Sequence, residues 1–368
     1  MRFAFLTELY HPNLGGQEVF FQELAEAMVR RGHSVDVYCI GHHTSLAVDE
    51  TLNGVRIRRN PLSNHYLNPP IPALRRNWSD VLRFSAGVRQ HVVPRRYDFH
   101  LVNQWPLLHV AALPRKLRAR TGIHWCEVRE DPILGQAQRR LPRMVGSNFA
   151  VSKAVAAAIT EQSGQPCSVL PSGIELTRYR VAERSRRSGA LYVGRLAPHK
   201  NLPLLIDAFE LAAARGFDGD LVIAGDGPAR ADIEDHAGRS SLTSRVHVLG
   251  SVTEAQKIQL LSQAAVLGMP SQREGFPRVI AEAMASGLPV VTAGFPENGA
   301  KDVVSQYGSG VVCGTGPADF AEALLTAQAQ WDTFSTAGLA GAQSLDWSGI
   351  AQALETRALE VCGRYPVA

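Results

Sequence analysis

Residues 190–227, ALYVGRLAPHKNLPLLIDAFELAAARGFDGDLVIAGDG, decide the fold class. A β-rich run over residues 190–195 is followed by a loop, by a helical period over residues 202–216, and by a second β-rich run that ends in Gly-Asp-Gly. A strand, a helix and a strand of these lengths form a βαβ unit, in which the strands are parallel and the helix packs on the sheet. The stretch therefore predicts a doubly wound α/β sheet.

The same alternation extends along most of the chain. After residue 227 the pattern predicts helices over 230–238, 254–263 and 278–286, and strands over 245–252, 264–271 and 288–294. The first half begins with a strand over 2–9, a helix over 17–32 and a strand over 34–40. A polar segment, residues 171–189, separates the two series. We therefore predict two Rossmann-like doubly wound domains, residues 1–185 and 186–345, followed by an amphipathic helix within residues 346–368.

Length and composition agree with two soluble domains. The chain has 368 residues, of which 45% are hydrophobic and 20% charged. No apolar run approaches the roughly 18 residues that a membrane-spanning helix needs. The N-terminus enters a strand pattern and lacks the features of a signal peptide. Five scattered cysteines without a C-x-x-C motif predict reduced core thiols in a cytoplasmic protein.

The net charge of +4 is unevenly distributed. Residues 1–185 carry 24 Lys and Arg against 15 Asp and Glu, whereas residues 186–368 carry 14 against 19. The basic segments 114–120 and 139–143 permit an anionic acceptor or peripheral attachment to an anionic membrane, although solvated surface arginines explain them equally well. No interleaved aromatic and basic motif indicates nucleic-acid binding.

Ligands of open α/β sheets bind at the carboxyl ends of the strands, and two such sheets facing each other form a cleft. The most informative loop of this kind is REGFPRVIAEAMASG, residues 273–287. Glu274 follows a predicted strand, Pro277 suits the first turn of a helix, and Glu282 lies within that helix. Carboxylates accept hydrogen bonds from sugar hydroxyls, and the amides at the helix N-terminus favour phosphate oxygens. The alternative is a solvated Glu282 and a Glu274 that stabilises the helix dipole, but the apolar surroundings make an unpartnered Glu282 costly.

Two further loops contain groups that suit an anionic ligand. Gly15 and Gly16 precede the first predicted helix, where free N–H groups and the absence of a Cβ allow an anion to approach. Arg195 and Lys200 follow the first strand of the second domain and would neutralise a diphosphate. Taken singly, the glycine pair is more typical of a tight strand-to-helix turn, and the two cations are more typical of solvated surface residues.

Together, these motifs resemble the retaining nucleotide-sugar glycosyltransferases of family 4, which have the GT-B fold of two Rossmann-like domains facing across a cleft. The matching motifs cover nearly the whole chain in the family's order: Asn-Leu-Gly-Gly (13–16), Ser-Lys (152–153), LPSGIEL (170–176), VGRLAPHKN (193–201), IAGDGP (223–228), and Glu-Gly-Phe-Pro (274–277) with Glu282.

The resemblance implies a role for each motif. Glu282 would bind the ribose hydroxyls, Glu274 the hydroxyls of the donor sugar, and Arg195 and Lys200 the diphosphate leaving group, so that Glu274, Arg195 and Lys200 form the catalytic set. The other donor-binding positions implied are Gly15, Gly16, Gly194, Gly225, Gly250, Val252, Gly275, Phe276 and Pro277. The first domain would bind the acceptor, and the last helix would cross back to it.

The implied reaction is transfer of a sugar from a nucleotide-diphosphate sugar to an acceptor hydroxyl, with retention of configuration and without a metal or other cofactor. Fixed cations and a helix N-terminus would stabilise the leaving group. The alternatives are a sugar-nucleotide epimerase of the same architecture, or a sugar-nucleotide-binding protein that has lost catalysis.

The chain departs from the family at one motif. Many relatives carry a His-Asp pair after a strand of the first domain, whereas a gapless comparison places Glu130 and Asp131 there, within IHWCEVREDP (123–132). This change puts a histidine-assisted step in doubt and indicates an unusual donor or acceptor pocket. Trp105 and His109 are further candidates for acceptor contacts, although His109 is also typical of a core histidine.

Overall fold

The computed structural model describes residues 1–13, 15–69, 76–106, 108–128 and 134–364. The chain forms two compact units, Met1–Gly173 with Trp347–Ala368, and Ile174–Asp346. The division after Gly173 lies earlier than the predicted boundary after residue 185. The reason is that Ile174 donates its N–H to the Leu345 carbonyl at 2.9 Å and is buried in the core of the second unit.

The first unit is an α/β sheet. Its strands are β1 Arg2–Leu6, β2 Ser34–Gly41, β3 Asp49–Leu52, β4 Val55–Leu62, β5 Phe99–Asn103, β6 Thr121–Trp125, β7 Ser147–Ala150 and β8 Ser168–Val169. The described residues pair in the order β3-β4-β2-β1-β5-β6-β7-β8, and every pair except β3–β4 is parallel. The antiparallel β3–β4 pair was not predicted.

The helices of this unit connect the parallel strands. They are α1 Gly16–Arg30, α2 Trp78–His91, α3 Leu108–Ala112, α4 Arg115–Arg118, α5 Leu134–Arg140 and α6 Lys153–Ser163. Helix α1 buries Phe20, Phe21, Leu24 and Met28, which recur at helical spacing and pack in one core with β1 and β2. This burial holds α1 against the sheet. The N-terminus of α1 follows the loop from the carboxyl end of β1.

The second unit repeats the arrangement more regularly. Its elements are β9 Ala190–Val193, α7 Leu202–Ala213, β10 Leu221–Ala224, α8 Arg230–Arg239, β11 Val246–Gly250, α9 Glu254–Gln263, β12 Val266–Met269, α10 Arg278–Ala285, β13 Val290–Ala293, α11 Ala300–Tyr307, β14 Gly310–Cys313, α12 Pro317–Ala329 and α13 Trp331–Gln343. The strands pair in parallel in the order β11-β10-β9-β12-β13-β14. Two parallel α/β sheets confirm the predicted fold class.

The last helix, α14 Trp347–Arg364, belongs to the first unit. Trp347 is fully buried against Phe20, and its indole N–H donates to Glu23 at 2.9 Å. Asp346, the first residue of the predicted last segment, belongs to the second unit. None of the described helices is both long enough and apolar enough to cross a bilayer.

Candidate active site

The carboxyl edge of the second sheet brings four loops together. Strands β11, β10, β9 and β12 are neighbours and run in the same direction, so the loops that follow them meet at one edge. The Gly225 N–H donates to the Gly250 carbonyl at 2.7 Å, and the Gly194 N–H donates to the Ala224 carbonyl at 3.0 Å. The structure therefore places three of the predicted donor-binding glycines, Gly194, Gly225 and Gly250, side by side.

Gly225 is required by this close approach of two loops. Its φ is +148°, and a Cβ on Gly225 would lie 1.8 Å from the Gly194 carbonyl oxygen. Only glycine fits at this position without displacement of the backbone. The Gly-Asp-Gly sequence after β10 therefore has a structural role: it allows the loops after β9 and β10 to pack closely together.

Glu274 is held at this edge by two donors that contact the same oxygen. Lys200 Nζ lies 2.5 Å from Glu274 Oε1, and Ser271 Oγ donates to that oxygen at 2.9 Å. Lys200 comes from the loop after β9, and Ser271 from the loop after β12. Within the described residues no donor contacts Oε2, so this oxygen can accept hydrogen bonds from a ligand hydroxyl.

The backbone of Glu274 is fixed by the neighbouring loop after β13. The Glu274 N–H donates to the Glu297 carbonyl at 3.1 Å, and the Gly299 N–H donates to the Glu274 carbonyl at 2.9 Å. Asn298 between them is fully buried, and its amide donates to the Ala293 carbonyl at 2.7 Å. The position of Glu274 therefore depends on a segment far from it in sequence.

Glu282 is buried in α10 and has a lysine partner. Its side chain is 6% exposed, and Lys257 Nζ, from α9, lies 2.8 Å from Glu282 Oε1. Lys257 also lies 3.0 Å from the exposed Glu254. The prediction that Glu282 binds a ligand relied partly on the cost of burying a carboxylate without a partner. Lys257 is such a partner within the protein and offsets this cost. As with Glu274, no described residue donates to Oε2.

The Gly-Phe-Pro turn joins the two glutamates at the start of α10. Pro277 has extended backbone angles and caps the helix, which begins at Arg278 as predicted. Phe276 is half-buried against the core, whereas Gly275 is exposed. The backbone of this turn is therefore accessible next to the helix N-terminus. Val252, after β11, is half-buried.

The two predicted cations have different surroundings. Arg195 is exposed, while its carbonyl accepts a hydrogen bond from Tyr192 at 3.2 Å. Lys200 is paired with Glu274, so a diphosphate bound here would share this lysine with the Glu274 carboxylate. His199 lies beside Lys200, and its pKa is lowered by partial burial and by the positive charges of Lys200 and Arg273. The Glu274 carboxylate acts on His199 in the opposite direction.

In the first unit, the N-terminus of α1 differs from the expected anion site. Gly15 caps the helix and Gly16 is exposed. The Glu18 carboxylate folds back against Gly15, where Asn13 Nδ2 donates to it at 3.3 Å. Burial and the nearby Glu8 raise the pKa of Glu18. A carboxylate of the protein's own chain thus lies at this helix N-terminus, where we had predicted that an anion would bind.

The structure describes two of the four residues predicted to contact the acceptor. Trp105 is half-buried and packs edge-to-face against Trp78, with ring centroids 5.7 Å apart. His109 is fully buried beside Phe84, and burial lowers its pKa to about 3, so it is a neutral core residue rather than a contact for a ligand. Glu130 and Asp131 lie outside the described residues.

Sequence reasoning missed the residues that hold the two glutamates. Lys257 lies in a helix with a Thr253–Gln256 capping box and resembles an ordinary surface lysine in sequence. Ser271 lies between a strand and a loop, and Asn298 lies in a Pro-Glu-Asn-Gly segment typical of a turn. The sequence does not link Lys257 or Asn298 to the glutamates, because the tertiary structure brings them there. Ser271 lies only three residues before Glu274, and no motif indicates their contact.

Two family models match the chain. Glycosyltransferase Family 4 matches residues 14–178, and Glycosyl transferases group 1 matches residues 175–333. Together they extend from residue 14 to residue 333 without a gap. This chain belongs to the group 1 glycosyltransferases. It is therefore an enzyme of the glycosyl-transferring class, as predicted.

Curated glycosyltransferases are similar over long parts of the chain. An uncharacterized glycosyltransferase of Methanocaldococcus jannaschii is 27% identical over 329 residues, which are 80% of this chain and 80% of the relative. The alpha-D-kanosaminyltransferase of Streptomyces kanamyceticus is 34% identical over 142 residues, which are 37% of this glycosyltransferase and 36% of the relative.

Solved structures share the fold at low identity. Sucrose-phosphate synthase from Thermosynechococcus elongatus superposes with a TM-score of 0.79 at 20% identity and covers 99% of both chains. HepE of Anabaena, in complex with UDP and glucose, superposes with a TM-score of 0.72 at 20% identity over 98% of this glycosyltransferase and 100% of HepE. These likenesses confirm the GT-B fold.

Proposed function

We propose that this glycosyltransferase moves a sugar from a nucleotide-diphosphate sugar to an acceptor hydroxyl, with retention of anomeric configuration and without a metal ion. The observation that carries the proposal is the pair of glutamates at one edge of the second sheet. Glu274 and Glu282 each have one oxygen bound by a lysine and the other without a donor among the described residues. Two such carboxylates suit a ligand with hydroxyl groups at both ends.

In this proposal the second unit binds the donor. Glu282 accepts hydrogen bonds from the ribose diol, and Glu274 accepts them from hydroxyls of the donor sugar. The exposed backbone at Gly275 and the N-terminus of α10 receive the diphosphate between them. Gly194, Gly225 and Gly250 let the backbone approach the nucleotide closely.

The chemical step needs stabilisation of the leaving diphosphate. The bond between the anomeric carbon and the phosphate oxygen breaks, and a bond from the acceptor oxygen to the same face of that carbon forms. The acceptor proton passes to the departing phosphate oxygen. Arg195 and Lys200 stabilise the negative charge that develops on the diphosphate, which is preorganised electrostatic catalysis. Lys200 links this task to Glu274, because it contacts the carboxylate that orients the sugar.

Solved relatives support the donor class. HepE of Anabaena was solved with UDP and with UDP-glucose, and a trehalose-6-phosphate synthase of Escherichia coli was solved with UDP-2-fluoro glucose. We propose a nucleotide sugar of this kind as donor here. A cytoplasmic location stays a prediction from the scattered cysteines of the sequence. Peripheral membrane attachment and exclusion of nucleic acid stay predictions.

The first test is a thermal shift measurement with UDP, GDP, ADP and dTDP. A ligand that binds only the folded state at about 100 times its dissociation constant adds roughly 2.7 kcal/mol to stability. We expect one nucleotide to stabilise the wild type, to stabilise Glu282→Ala much less, and to act normally on the surface control Glu322→Ala. No stabilisation by any of the four nucleotides would contradict the proposal.

The reaction itself is tested with the sugar donors of the nucleotide that binds. Product formation followed by NMR should show the anomeric configuration of the donor preserved. The rate should be the same with excess EDTA as without it. An inverted product would contradict retention, and loss of activity on chelation would contradict metal independence.

A further inference from the structure

A buried arginine lies between the carboxyl ends of two helices in the second unit. Arg187, which comes shortly before β9, is 4% exposed. Its guanidinium donates to four backbone carbonyls and, among the described residues, forms no ion pair with a carboxylate. A buried charge is costly unless hydrogen bonds compensate it, so these carbonyls are what keeps the guanidinium in place.

The four carbonyls belong to three segments of the chain. Arg187 Nη1 donates to the Leu261 carbonyl at 3.0 Å and to the Ala264 carbonyl at 3.2 Å, both at the end of α9. Nη2 donates to the Ser286 carbonyl at 2.5 Å, directly after α10, and Nε donates to the Ala182 carbonyl at 3.1 Å. The last carbonyls of a helix have no partner within the helix and favour a positive charge. One guanidinium thus ties the ends of α9 and α10 together.

This bridge lies one helical turn beyond the ion pair between Lys257 and Glu282. Leu261 follows Lys257 by four residues, and Ser286 follows Glu282 by four residues. Four residues of helix rise by about 6 Å. The Ser286 N–H and hydroxyl also both donate to the Glu282 carbonyl, each at 3.0 Å. Helices α9 and α10 are therefore bridged twice, by the ion pair and, one turn later, by Arg187.

An indole ring supports the guanidinium. The Arg187 guanidinium carbon lies 5.4 Å from the centre of the Trp331 ring, and the Trp331 indole N–H donates to the Ala265 carbonyl at 3.0 Å. A cation over an indole face is attracted by the ring electrons. A lysine at position 187 would keep the charge, but its ammonium group lacks the planar fork that reaches the carbonyls of two helices at once.

We propose that Arg187 is a positioning residue of the donor site, which fixes the spacing of α9 and α10 and thereby holds Lys257 against Glu282 in the orientation that receives the ribose. The inference rests on the proposed function, which assigns the ribose to Glu282. Arg187 acts through the backbones of the two helices and not through a contact with the substrate. Without its bridge the helix ends separate, the ion pair one turn away lengthens, and Glu282 loses its fixed orientation.

The binding test is a double-mutant cycle on Arg187 and Glu282. UDP, GDP, ADP and dTDP are titrated calorimetrically into the wild type, Arg187→Lys, Glu282→Gln and the double variant. For the nucleotide that binds the wild type, Arg187→Lys should raise the dissociation constant about tenfold. In the Glu282→Gln protein the same change should raise it less than about twofold, because the ion pair through which Arg187 acts is already absent.

The matched control is Arg184→Lys. Arg184 lies over the same Trp331 ring and donates to the Arg187 carbonyl at 2.9 Å, but among the described residues no hydrogen bond joins its side chain to α9 or α10. Nucleotide affinity should therefore be normal in this variant. If Arg187→Lys does not fold, Trp331→Leu replaces it in the cycle, since it removes the ring next to the guanidinium and leaves the carbonyl partners in place; we expect a smaller loss of affinity, about threefold.

A second cycle measures the ion pair without a nucleotide. Urea unfolding of Lys257→Met, Glu282→Gln and the double variant gives the coupling free energy between Lys257 and Glu282. In the Arg187→Lys background this coupling should be no more than about half as large.

Three outcomes overturn the inference. They are normal nucleotide affinity in Arg187→Lys, an equal loss of affinity with Glu282 and with Gln at that position, and an unchanged coupling between Lys257 and Glu282. A destabilised Arg187→Lys protein with normal affinity would show that Arg187 stabilises the fold only. If the nucleotide binds the wild type and these tests fail, the proposed function stands and the role of Arg187 is wrong. If the coupling falls but no nucleotide binds the wild type, Arg187 positions the pair and the proposed function is wrong.

Discussion

Lys257 Nζ lies 2.8 Å from Glu282 Oε1, and this relationship is repeated at Glu274, whose Oε1 lies 2.5 Å from Lys200 Nζ. In both pairs the lysine comes from a different element than the glutamate, and it contacts one oxygen only. A carboxylate held in this way has an ion-pair partner in a partly buried place and a fixed orientation before a ligand binds. The two lysines thus prepare the two glutamates for hydrogen bonds from hydroxyl groups.

Replacement of Lys257 by Met should destabilise the second unit. The buried Glu282 carboxylate would lose its partner, at a cost of about 3 kcal/mol, the range measured when one member of a buried ion pair is removed. The stabilisation by nucleotide should also fall, because Glu282 would lose its orientation. Urea unfolding and thermal shift with the binding nucleotide measure both effects.

The matched control for Lys257 is Glu254→Gln, which removes the exposed partner of the same lysine. It should change stability by no more than about 0.5 kcal/mol, as expected for a surface ion pair. The double variant Lys257→Met/Glu282→Gln should recover most of the lost stability, because no uncompensated charge remains. A single Lys257→Met as stable as the wild type would contradict the role that we assign to this pair.

Arg195→Ala should reduce the transfer rate with little change in stability. The side chain is exposed, so its removal leaves no buried group without a partner. If Arg195 stabilises the leaving diphosphate, kcat should fall by about 10²–10³-fold, the loss seen when one such group is removed. Steady-state kinetics and unfolding curves measure the two quantities. Arg239→Ala, another exposed arginine of the same unit, should have normal kinetics; equal effects of the two variants would argue against the assignment.

Gly225→Ala should destabilise the second unit by about 2–3 kcal/mol. The new Cβ would meet the Gly194 carbonyl oxygen at 1.8 Å, and a φ of +148° is strained for any L side chain. Gly238→Ala is the control, since Gly238 lies in α8 with open space around it and alanine favours a helix by up to about 1 kcal/mol. Thermal unfolding of both variants is the measurement. A Gly225→Ala protein as stable as the control would show that the loops after β9 and β10 do not pack as described.

Gly16→Ala separates a structural role from a ligand role. No atom lies within 4 Å of a Cβ built on Gly16, and the residue is at the first position of α1, so stability should be unchanged or slightly higher. If a substrate approaches the backbone here, the transfer rate should nevertheless fall at least tenfold. Gly349→Ala in α14, also with open space, should leave the rate unchanged. Normal activity of Gly16→Ala would remove Gly16 from the donor-binding set.

The first unit should lose stability as the pH falls below about 6.5. His100, His109 and His124 are fully buried, and burial lowers their pKa to about 4, about 3 and about 4. The unfolded chain binds protons at about pH 6.5 and the folded chain does not, so each histidine contributes a loss of up to about 1.4 kcal/mol per pH unit down to its folded pKa. This stability is fully present above about pH 6.5.

His109→Leu isolates one of these contributions. The fall in unfolding free energy between pH 6 and pH 4.5 should be shallower than in the wild type by up to about 1.4 kcal/mol per pH unit. Hydrogen exchange of the β5 amides, which belong to the first unit, measures this free energy without interference from the second unit. Equal pH slopes in the two proteins would show that His109 is not buried in its neutral form.

Element type and order followed from the sequence with small errors. The period of apolar residues predicted α9 over residues 254–263, as found, and predicted α10 to within one residue. Strand ends were predicted too long, because glycines and polar residues that continue the alternation, as after β10, already belong to the loops. The antiparallel strand β3 was missed, since it is a short edge strand and none of its four residues is buried.

The doubly wound fold, the family and the two glutamates could be predicted from the amino-acid sequence, because the spacing of apolar residues and short motifs are properties of local sequence. The groups that contact these glutamates could be identified only from the folded chain. Lys200 reaches Glu274 because the parallel strands β9 and β12 are neighbours, and Lys257 reaches Glu282 from another helix; such adjacency has no trace in local sequence. Ser271, by contrast, lies only three residues before Glu274. Burial also depends on the tertiary structure, in which His109 is a core residue. The Glu18 carboxylate likewise lies at the N-terminus of α1, where the sequence predicted a bound anion.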